Sequence, residues 1–322
     1  MKRLQFIDVA KGIGILLVVL GHLETTDFLR RWIYSFHMPF FFFISGFLSK
    51  LISINYITYL NKQLSRLIIP YFFFGIISIV YMLLLKIILQ NPLTAKHLDD
   101  ILRLFYLDGR PLPMNKVIWF LMVMFWVEML NLLLQKIPRR VPLAALSFFG
   151  GGIISWLTHK YNFRLPFGLD IALMAYSFFV LGQLAKEKGV LNYAWNKVGI
   201  IMVFVSLLVS LAMVYITNIN IDMMNVEYGN PLIFFFTAMV GTLFIFMLSI
   251  LIEKNSILEY LGRNSIIILG LHGIIIRSIN TLEEVAEFQL PILIFFVLVV
   301  FLVIPFILLI NRCCPGAVGH KR

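Results

Sequence analysis

The sequence predicts an all-α protein, a polytopic membrane helix bundle of about ten transmembrane helices with both termini in the cytoplasm (N-in/C-in). Three observations predict this fold class. Hydrophobic residues make up 61% of the 322 residues and charged residues only 13%, about half the charged fraction of a soluble domain. Apolar runs of about twenty residues recur along the whole chain. Basic residues are concentrated in alternate segments between those runs, which is the pattern that sets membrane topology.

The apolar runs place ten predicted spans, which we take in chain order. They are residues 5–23, 33–50, 66–89, 116–135, 142–158, 167–185, 197–217, 230–252, 264–279 and 288–310. The spans 142–158 and 264–279 are short for a bilayer crossing. No segment between the spans is polar and long enough to fold as a soluble domain, so we expect one integral-membrane domain over residues 1–322.

The basic residues favour a cytoplasmic N-terminus. With that orientation, sixteen Lys and Arg residues fall in inner segments and nine in outer ones, while Lys11 and Lys86 lie within spans. Most acidic residues fall in the outer loops. The net charge of +11 is therefore explained as a topology signal, and it does not indicate a nucleic-acid partner.

The cysteine content excludes several classes of site. The only two cysteines, Cys313 and Cys314, are adjacent near the end of the chain. They exclude a disulfide framework and a zinc site built on cysteine, and we expect no metal cofactor. The first apolar stretch lacks a small-residue cleavage site, so no cleavable signal peptide is expected.

The first span carries three ionisable residues, which are costly in a bilayer and mark candidate functional sites. Lys11 and His22 are eleven residues apart, which is three helical turns plus about 20°, so both project from one helix face. They lie about 16 Å apart along the helix axis. Asp8 precedes Lys11 at the i, i+3 spacing at which a carboxylate and an ammonium pair. A structural ion pair between Asp8 and Lys11 explains their spacing equally well.

His37 lies at the predicted mouth of the second span. Because the first span ends outside and the second begins outside, His22 and His37 are expected at similar depth on helices joined by a short loop. A single histidine would more often be a packing residue. Two imidazoles at one depth favour a functional site.

These residues resemble the signature of the acyltransferase-3 family, bacterial inner-membrane O-acyltransferases that modify sugars. The matching stretches are Asp8-x-x-Lys11-Gly12, Val18-Val19-Leu20-Gly21-His22 and Phe36-His37-Met38-Pro39-Phe40-Phe41-Phe42-Phe43-Ile44-Ser45-Gly46. Weaker similar pieces are 66–70, 119–121, 165–168, 178–182 and 261–265 with His272 after them. The resemblance therefore covers nearly the whole chain, and it is greatest to the fucose 4-O-acetylase-like branch.

The resemblance implies transfer of an acyl group, expected to be acetyl, from cytoplasmic acetyl-CoA to a sugar hydroxyl of a cell-surface polysaccharide or its precursor. In the family, a basic residue and a histidine separated by ten residues mark the catalytic span, and Lys11 and His22 match this pattern. We expect His22 to be the general base, with His37 as its helper or a substrate contact and Asp8 as a further catalytic residue. Direct transfer and an acetyl-histidine relay both fit this pattern.

The donor site is expected at the cytoplasmic mouth, where Lys11, Lys62 and Arg66 would bind the CoA phosphates. Lysine replaces the arginine that many members carry at the position of Lys11. Gln63 stands where many members carry a second arginine before Arg66. We expect packing or interface roles for Lys86 and Glu128, a structural or cavity-lining role for His272, and a sugar contact as one role for Asp170.

Two other classes of function compete with an enzyme. A polysaccharide or lipid-linked sugar flippase would need a polar pathway with repeats or broken helices at the midplane, and no internal repeat is visible. A scaffold for polysaccharide assembly would be insensitive to loss of His22. The expected partners are the bilayer, acyl-CoA and a sugar acceptor; a homo-oligomer or polysaccharide-assembly partners are also compatible with the sequence.

Overall fold

The structure is a computed structural model that describes residues 4–50, 55–90, 92, 94, 101–104, 115–190 and 197–319. Its regular secondary structure within these residues is helical, and the only β-type pairing described there is a bridge between Asp222 and Glu227. The all-α membrane bundle predicted from the sequence is thereby confirmed, whereas the number of spans and their orientation stay predictions.

Twelve α-helices are present in the described part of the chain. They are α1 (Gln5–Gly21), α2 (Asp27–Leu48), α3 (Tyr56–Gln63), α4 (Ile69–Ile88), α5 (Trp119–Leu134), α6 (Arg140–Tyr161), α7 (Leu169–Glu187), α8 (Lys197–Thr217), α9 (Pro231–Ile252), α10 (Ser256–Arg263), α11 (Ser265–Ala286) and α12 (Ile292–Cys313). A π-helical turn, Leu64–Ile68, joins α3 to α4, and short 3₁₀ turns precede α5 and α7 and follow α12.

Eight helical segments among the described residues are long and apolar enough to cross a membrane. They are Tyr56–Ile88, Lys116–Leu134, Arg140–Tyr161, Pro166–Glu187, Gly199–Thr217, Pro231–Ile252, Ser265–Ala286 and Ile292–Cys313. The first two predicted spans fall outside this group. α1 has only 17 residues, and α2 carries Arg30, Arg31 and His37, which reduce its apolar character.

Two helices that carry histidines extend beyond their predicted spans. α2 begins at Asp27, where the Oγ1 of the N-cap Thr26 accepts a hydrogen bond from the Leu29 amide. His37 therefore lies ten residues into α2, about 15 Å from its start, and not at the mouth of the helix. α11 continues to Ala286, past the predicted end at residue 279. An apolar run marks only the lipid-embedded part of a helix. The helix itself begins and ends at its capping residues, which can lie beyond that run.

Glycines bring two helix pairs into backbone contact. Between α2 and α7, a Cβ placed on Gly46 would lie 1.8 Å from the Phe179 carbonyl oxygen, and one on Gly182 would lie 2.0 Å from that of Phe43. These helices therefore cross with no side chain between them, as small residues allow in membrane bundles. The contact fixes α7 against the helix that carries His37.

The N-terminal half of α1 packs against the short helix α10 in the same way. A Cβ on Gly12 would lie 2.1 Å from the Leu258 carbonyl oxygen, and one on Gly262 would lie 1.9 Å from that of Asp8. Gly12 belongs to the stretch Asp8-x-x-Lys11-Gly12, and a glycine in a membrane helix lets a helix or a ligand approach the backbone closely. The structure places a helix there.

Candidate functional site

A cavity of about 480 Å³ lies at the end of the bundle that is predicted to face outward. We call it the outer cavity. It is lined by the C-terminal end of α1, the first part of α2, the turn before α5, the loop between α8 and α9, and the middle of α11; its polar lining residues are His22, Glu24, Thr25, Arg30, Tyr34, His37, Asn115, Lys116, Asp222 and Arg277. His22 and His37, predicted at one depth, both line this cavity.

His22 is held by Tyr34, which sequence reasoning did not single out. The Nδ1 atom of His22 lies 2.9 Å from the Tyr34 hydroxyl oxygen. When the proton is on Nδ1, His22 donates to that oxygen, and the lone pair on Nε2 is available to take a proton. Tyr34 precedes His37 by three residues on α2, so both side chains lie on one helix face, with ring centroids 4.9 Å apart.

His272 stacks on His22. Their ring centroids are 5.1 Å apart and the ring planes are only 3° from parallel. His272 is fully buried, and its Nδ1 donates to the Ile268 carbonyl oxygen at 2.9 Å. Its Nε2 has no hydrogen-bond partner within the described part of the chain. The contact with His22 places His272 beside the site, which is compatible with the structural role expected from the sequence.

His37 has the same tautomer as His272. Its Nδ1 lies 2.8 Å from the Ile33 carbonyl oxygen, which accepts only, so the proton is on Nδ1. Its Nε2 therefore presents a lone pair, and His37 can accept a hydrogen bond from a bound hydroxyl group.

A second cavity of about 470 Å³ meets the outer cavity at His22, Leu23, Glu24 and Ile276. It lies between α1, α11 and the start of α12, and its polar lining is mainly acidic and amide, with Asn280, Glu283, Glu284 and Gln289. The histidine thus forms part of the wall between two cavities.

The loop that contributes Met223 and Met224 to the outer cavity is fixed by an ion pair whose carboxylate is buried. Arg164 pairs with Asp170, which is completely buried, and Arg164 also donates to the Met224 carbonyl oxygen at 2.9 Å. Tyr228, in the same loop, is buried beside Asp170, and both burial and this carboxylate raise the pKa of its hydroxyl. Asp170 therefore supports a cavity wall, in place of the sugar contact considered from the sequence.

Asp8 lies at the other end of α1 from His22. The helix is continuous between them, which puts about 21 Å along the axis between the two residues. Asp8 is buried, and its carboxylate lies 3.4 Å from the Arg263 Nε atom. Arg263 also pairs with Glu259 at 2.6 Å. The structure does not bring Asp8 to the histidines, and it provides Asp8 with Arg263 as an ionic partner.

The predicted donor-binding cations lie toward the end of the bundle that is predicted to face the cytoplasm, which we call the inner side. Lys62 and Arg66 are exposed, and Arg66 belongs to the π-helical turn. Both act electrostatically on Glu128, which accepts a hydrogen bond of 2.5 Å from Tyr59. Lys11 is partly buried on α1, with the predicted 16 Å to His22 preserved by the continuous helix.

Comparison with known proteins identifies the type of domain. A family model for the acyltransferase-3 group, described as an acyltransferase domain, matches residues 4–312. Searches of curated proteins and of solved structures gave no match. The matched region includes nearly all of the described helices and both histidines predicted from the sequence. The chain therefore belongs to the acyltransferase-3 family and is a membrane acyltransferase.

Proposed function

We propose that this protein is an O-acetyltransferase of the bacterial inner membrane. It moves an acetyl group from cytoplasmic acetyl-CoA to a hydroxyl of a cell-surface polysaccharide or its precursor, as expected for the fucose 4-O-acetylase-like branch. The observation that carries the proposal is the position of His22, in the wall of the outer cavity with Nδ1 held by Tyr34.

The proposed reaction uses His22 as general base. The hydroxyl oxygen of the acceptor attacks the thioester carbonyl carbon while Nε2 of His22 takes the hydroxyl proton. The new C–O bond forms, the C–S bond breaks, and the departing CoA sulfur receives the proton from His22. Base catalysis of this kind contributes about 10²–10⁴ in rate.

The neighbouring side chains support this role. Tyr34 fixes the ring orientation of His22, as an orienting partner does in other base-assisted sites. His37 offers its Nε2 lone pair to the acceptor, and His272 supports the His22 ring from one side.

On the inner side, Lys11, Lys62 and Arg66 are proposed to neutralise the CoA phosphates. The pantetheine arm would then extend toward His22, since its length is comparable to the 16 Å along α1. α10 covers α1 at Gly12, so the arm must follow a face of α1 that α10 leaves open.

Transfer of radiolabel from acetyl-CoA to cell-surface polysaccharide tests the proposal. We expect label on the polymer with the intact chain and a loss of about 10²–10⁴ in rate with His22→Ala. The matched control is His159→Ala, because His159 lies near the end of α6 and donates to the Ser155 carbonyl. Both variants are compared at equal membrane expression.

The outcomes separate the competing functions. Normal transfer by a folded His22→Ala protein would rule out His22 as the base. Absence of label on the polymer with the intact chain would instead argue against acetyl transfer to this polymer, and it would favour a different acyl donor or a missing partner protein, since the family is one of acyltransferases.

A further inference from the structure

Asn115 lies immediately before the turn that leads into α5, and its side chain lines the outer cavity. Only 2% of the residue is exposed. It contacts two other helices, α4 through Ser78 and α11 through Gly270. It therefore joins three helices at the wall of the cavity.

The hydrogen bonds of Asn115 fix which way its amide points. Its Nδ2 donates to the Ser78 hydroxyl oxygen at 3.0 Å and to the Gly270 carbonyl oxygen at 2.8 Å. The Ser78 hydroxyl already donates to the Phe74 carbonyl at 2.6 Å. A flipped amide would set its oxygen against the Gly270 oxygen, with no proton between them. The amide is therefore held with its NH₂ group toward the helices.

The opposite atom of the amide has no partner. Oδ1 of Asn115 is buried and accepts no hydrogen bond within the described part of the chain. It lies 3.8 Å from the position that a Cβ on Gly273 would take, and Gly273 also lines the outer cavity. Buried carbonyl oxygens are normally hydrogen-bonded, so an unpaired one at a cavity wall indicates a position for a ligand donor group.

We propose that Asn115 is an acceptor-binding residue whose Oδ1 accepts a hydrogen bond from a hydroxyl group of the sugar acceptor. This inference rests on the proposed function. Because the amide presents only its oxygen, it cannot stabilise the negative charge that develops on the thioester oxygen, which requires a hydrogen-bond donor. The amide oxygen instead needs a hydrogen-bond donor on the substrate. The acetyl thioester group carries none, whereas a sugar carries several hydroxyl groups.

Two parts of the substrates carry donors that fit this oxygen, the acceptor hydroxyls and the amide N–H groups of pantetheine. We assign the hydroxyl because Asn115 shares its cavity with residues of outer loops, namely Glu24, Asp222 and Met223. The pantetheine arm enters from the opposite side of the membrane.

Initial rates test the assignment. The intact chain in lipid nanodiscs is supplied with acetyl-CoA and with cell-surface polysaccharide that has been de-O-acylated by mild base. We expect Asn115→Ala to raise the half-saturating polysaccharide concentration about three- to tenfold, the effect of one hydrogen bond to a neutral group. The half-saturating acetyl-CoA concentration should stay unchanged.

Asn264→Ala is the matched control, because Asn264 is also buried and donates to the Tyr260 carbonyl, at the inner end of α11. It should leave both half-saturating concentrations unchanged. Ser78→Ala provides a second variant, since it removes one bond that fixes the amide but keeps Oδ1. Ser78→Ala should raise the half-saturating polysaccharide concentration by a smaller factor than Asn115→Ala. It tests the assignment even when Asn115→Ala does not fold.

If the Asn115 and Ser78 variants raised only the half-saturating acetyl-CoA concentration, the assignment would be overturned in favour of a pantetheine contact. Unchanged values for both substrates would overturn it altogether. Failure of the intact chain to label the polysaccharide is a different result, because it removes the proposed function on which the assignment rests.

Discussion

The outer cavity and the inner end of α1 differ in how closely the chain is packed. At the outer end, His22 adjoins two cavities and contacts the aromatic side chains of Tyr34 and His272. At the inner end, the backbone of α1 touches α10, and Asp8 is paired with Arg263. The same helix thus has one end open to a ligand and one end anchored to its neighbours. This difference supports the proposal that the chemistry takes place at the outer end, and we expect Asp8 to contribute to stability.

The largest expected effect on stability concerns the wall of the outer cavity. Asp170→Asn should lower the free energy of unfolding by about 3 kcal/mol, the low end of the range for breaking a buried ion pair, because Arg164 loses its charge partner but is itself only partly buried. Unfolding in mixed micelles titrated with SDS measures this change. The control is Asp27→Asn, whose pair with Arg30 is exposed and contributes about 0–1 kcal/mol.

A double variant sharpens this prediction. Replacing both partners, Arg164→Met with Asp170→Leu, should recover much of the lost stability, because neither charge is then left buried alone. Equal stability losses in Asp170→Asn and Asp27→Asn would contradict a structural role for the ion pair in the cavity wall.

An intermediate effect, on the rate of acetyl transfer, is expected at the end of α1 that adjoins the outer cavity. Tyr34→Phe should lower acetyl transfer about tenfold with little change in stability, because it removes the hydrogen bond to His22 and keeps the ring beside His37. Tyr81→Phe is the matched control, since the Tyr81 hydroxyl bonds Ser278 away from the cavity. Full transfer by Tyr34→Phe would mean that the His22 ring is oriented by other contacts.

The smallest expected effect is on the binding of acetyl-CoA by the cations of the inner side. Lys62→Gln and Arg66→Gln should each raise the half-saturating acetyl-CoA concentration about two- to fivefold, the contribution of an exposed ion pair. The rise should become smaller with acetyl-dephospho-CoA for whichever cation binds the 3′-phosphate. Lys254→Gln, an exposed cation of another inner segment, is the control. An equal rise in that variant would point to the general charge of the inner surface.

The sequence predicted the scaffold and part of the site. Each of the ten apolar runs falls on a helix, and eight of the described helical segments are long and apolar enough to cross a membrane. His22 and His37 were found because spans joined by a short outer loop must lie at similar depth. Tyr34 could have been found as well, because it precedes His37 by one helical turn.

The remaining site residues depend on contacts that sequence spacing does not encode. His272 follows His22 by 250 positions in the chain, and only the packing of α11 against α1 brings the two rings together. Asp8 was assigned with Lys11 from local spacing, and its contact with Arg263 of α10 could not be derived from that spacing. Asn115 carries no sequence signal, since an asparagine before a helix ordinarily indicates a cap.

The contact of α2 with α7 limits how this protein can change during evolution. Any side chain at Gly46 or Gly182 would overlap a backbone carbonyl, so substitution at either position requires the two helices to move apart. The loop residues that line the outer cavity face no such barrier. Variation that alters which acceptor is bound is therefore expected to accumulate in those loops, while the distance between α2 and α7 is inherited unchanged.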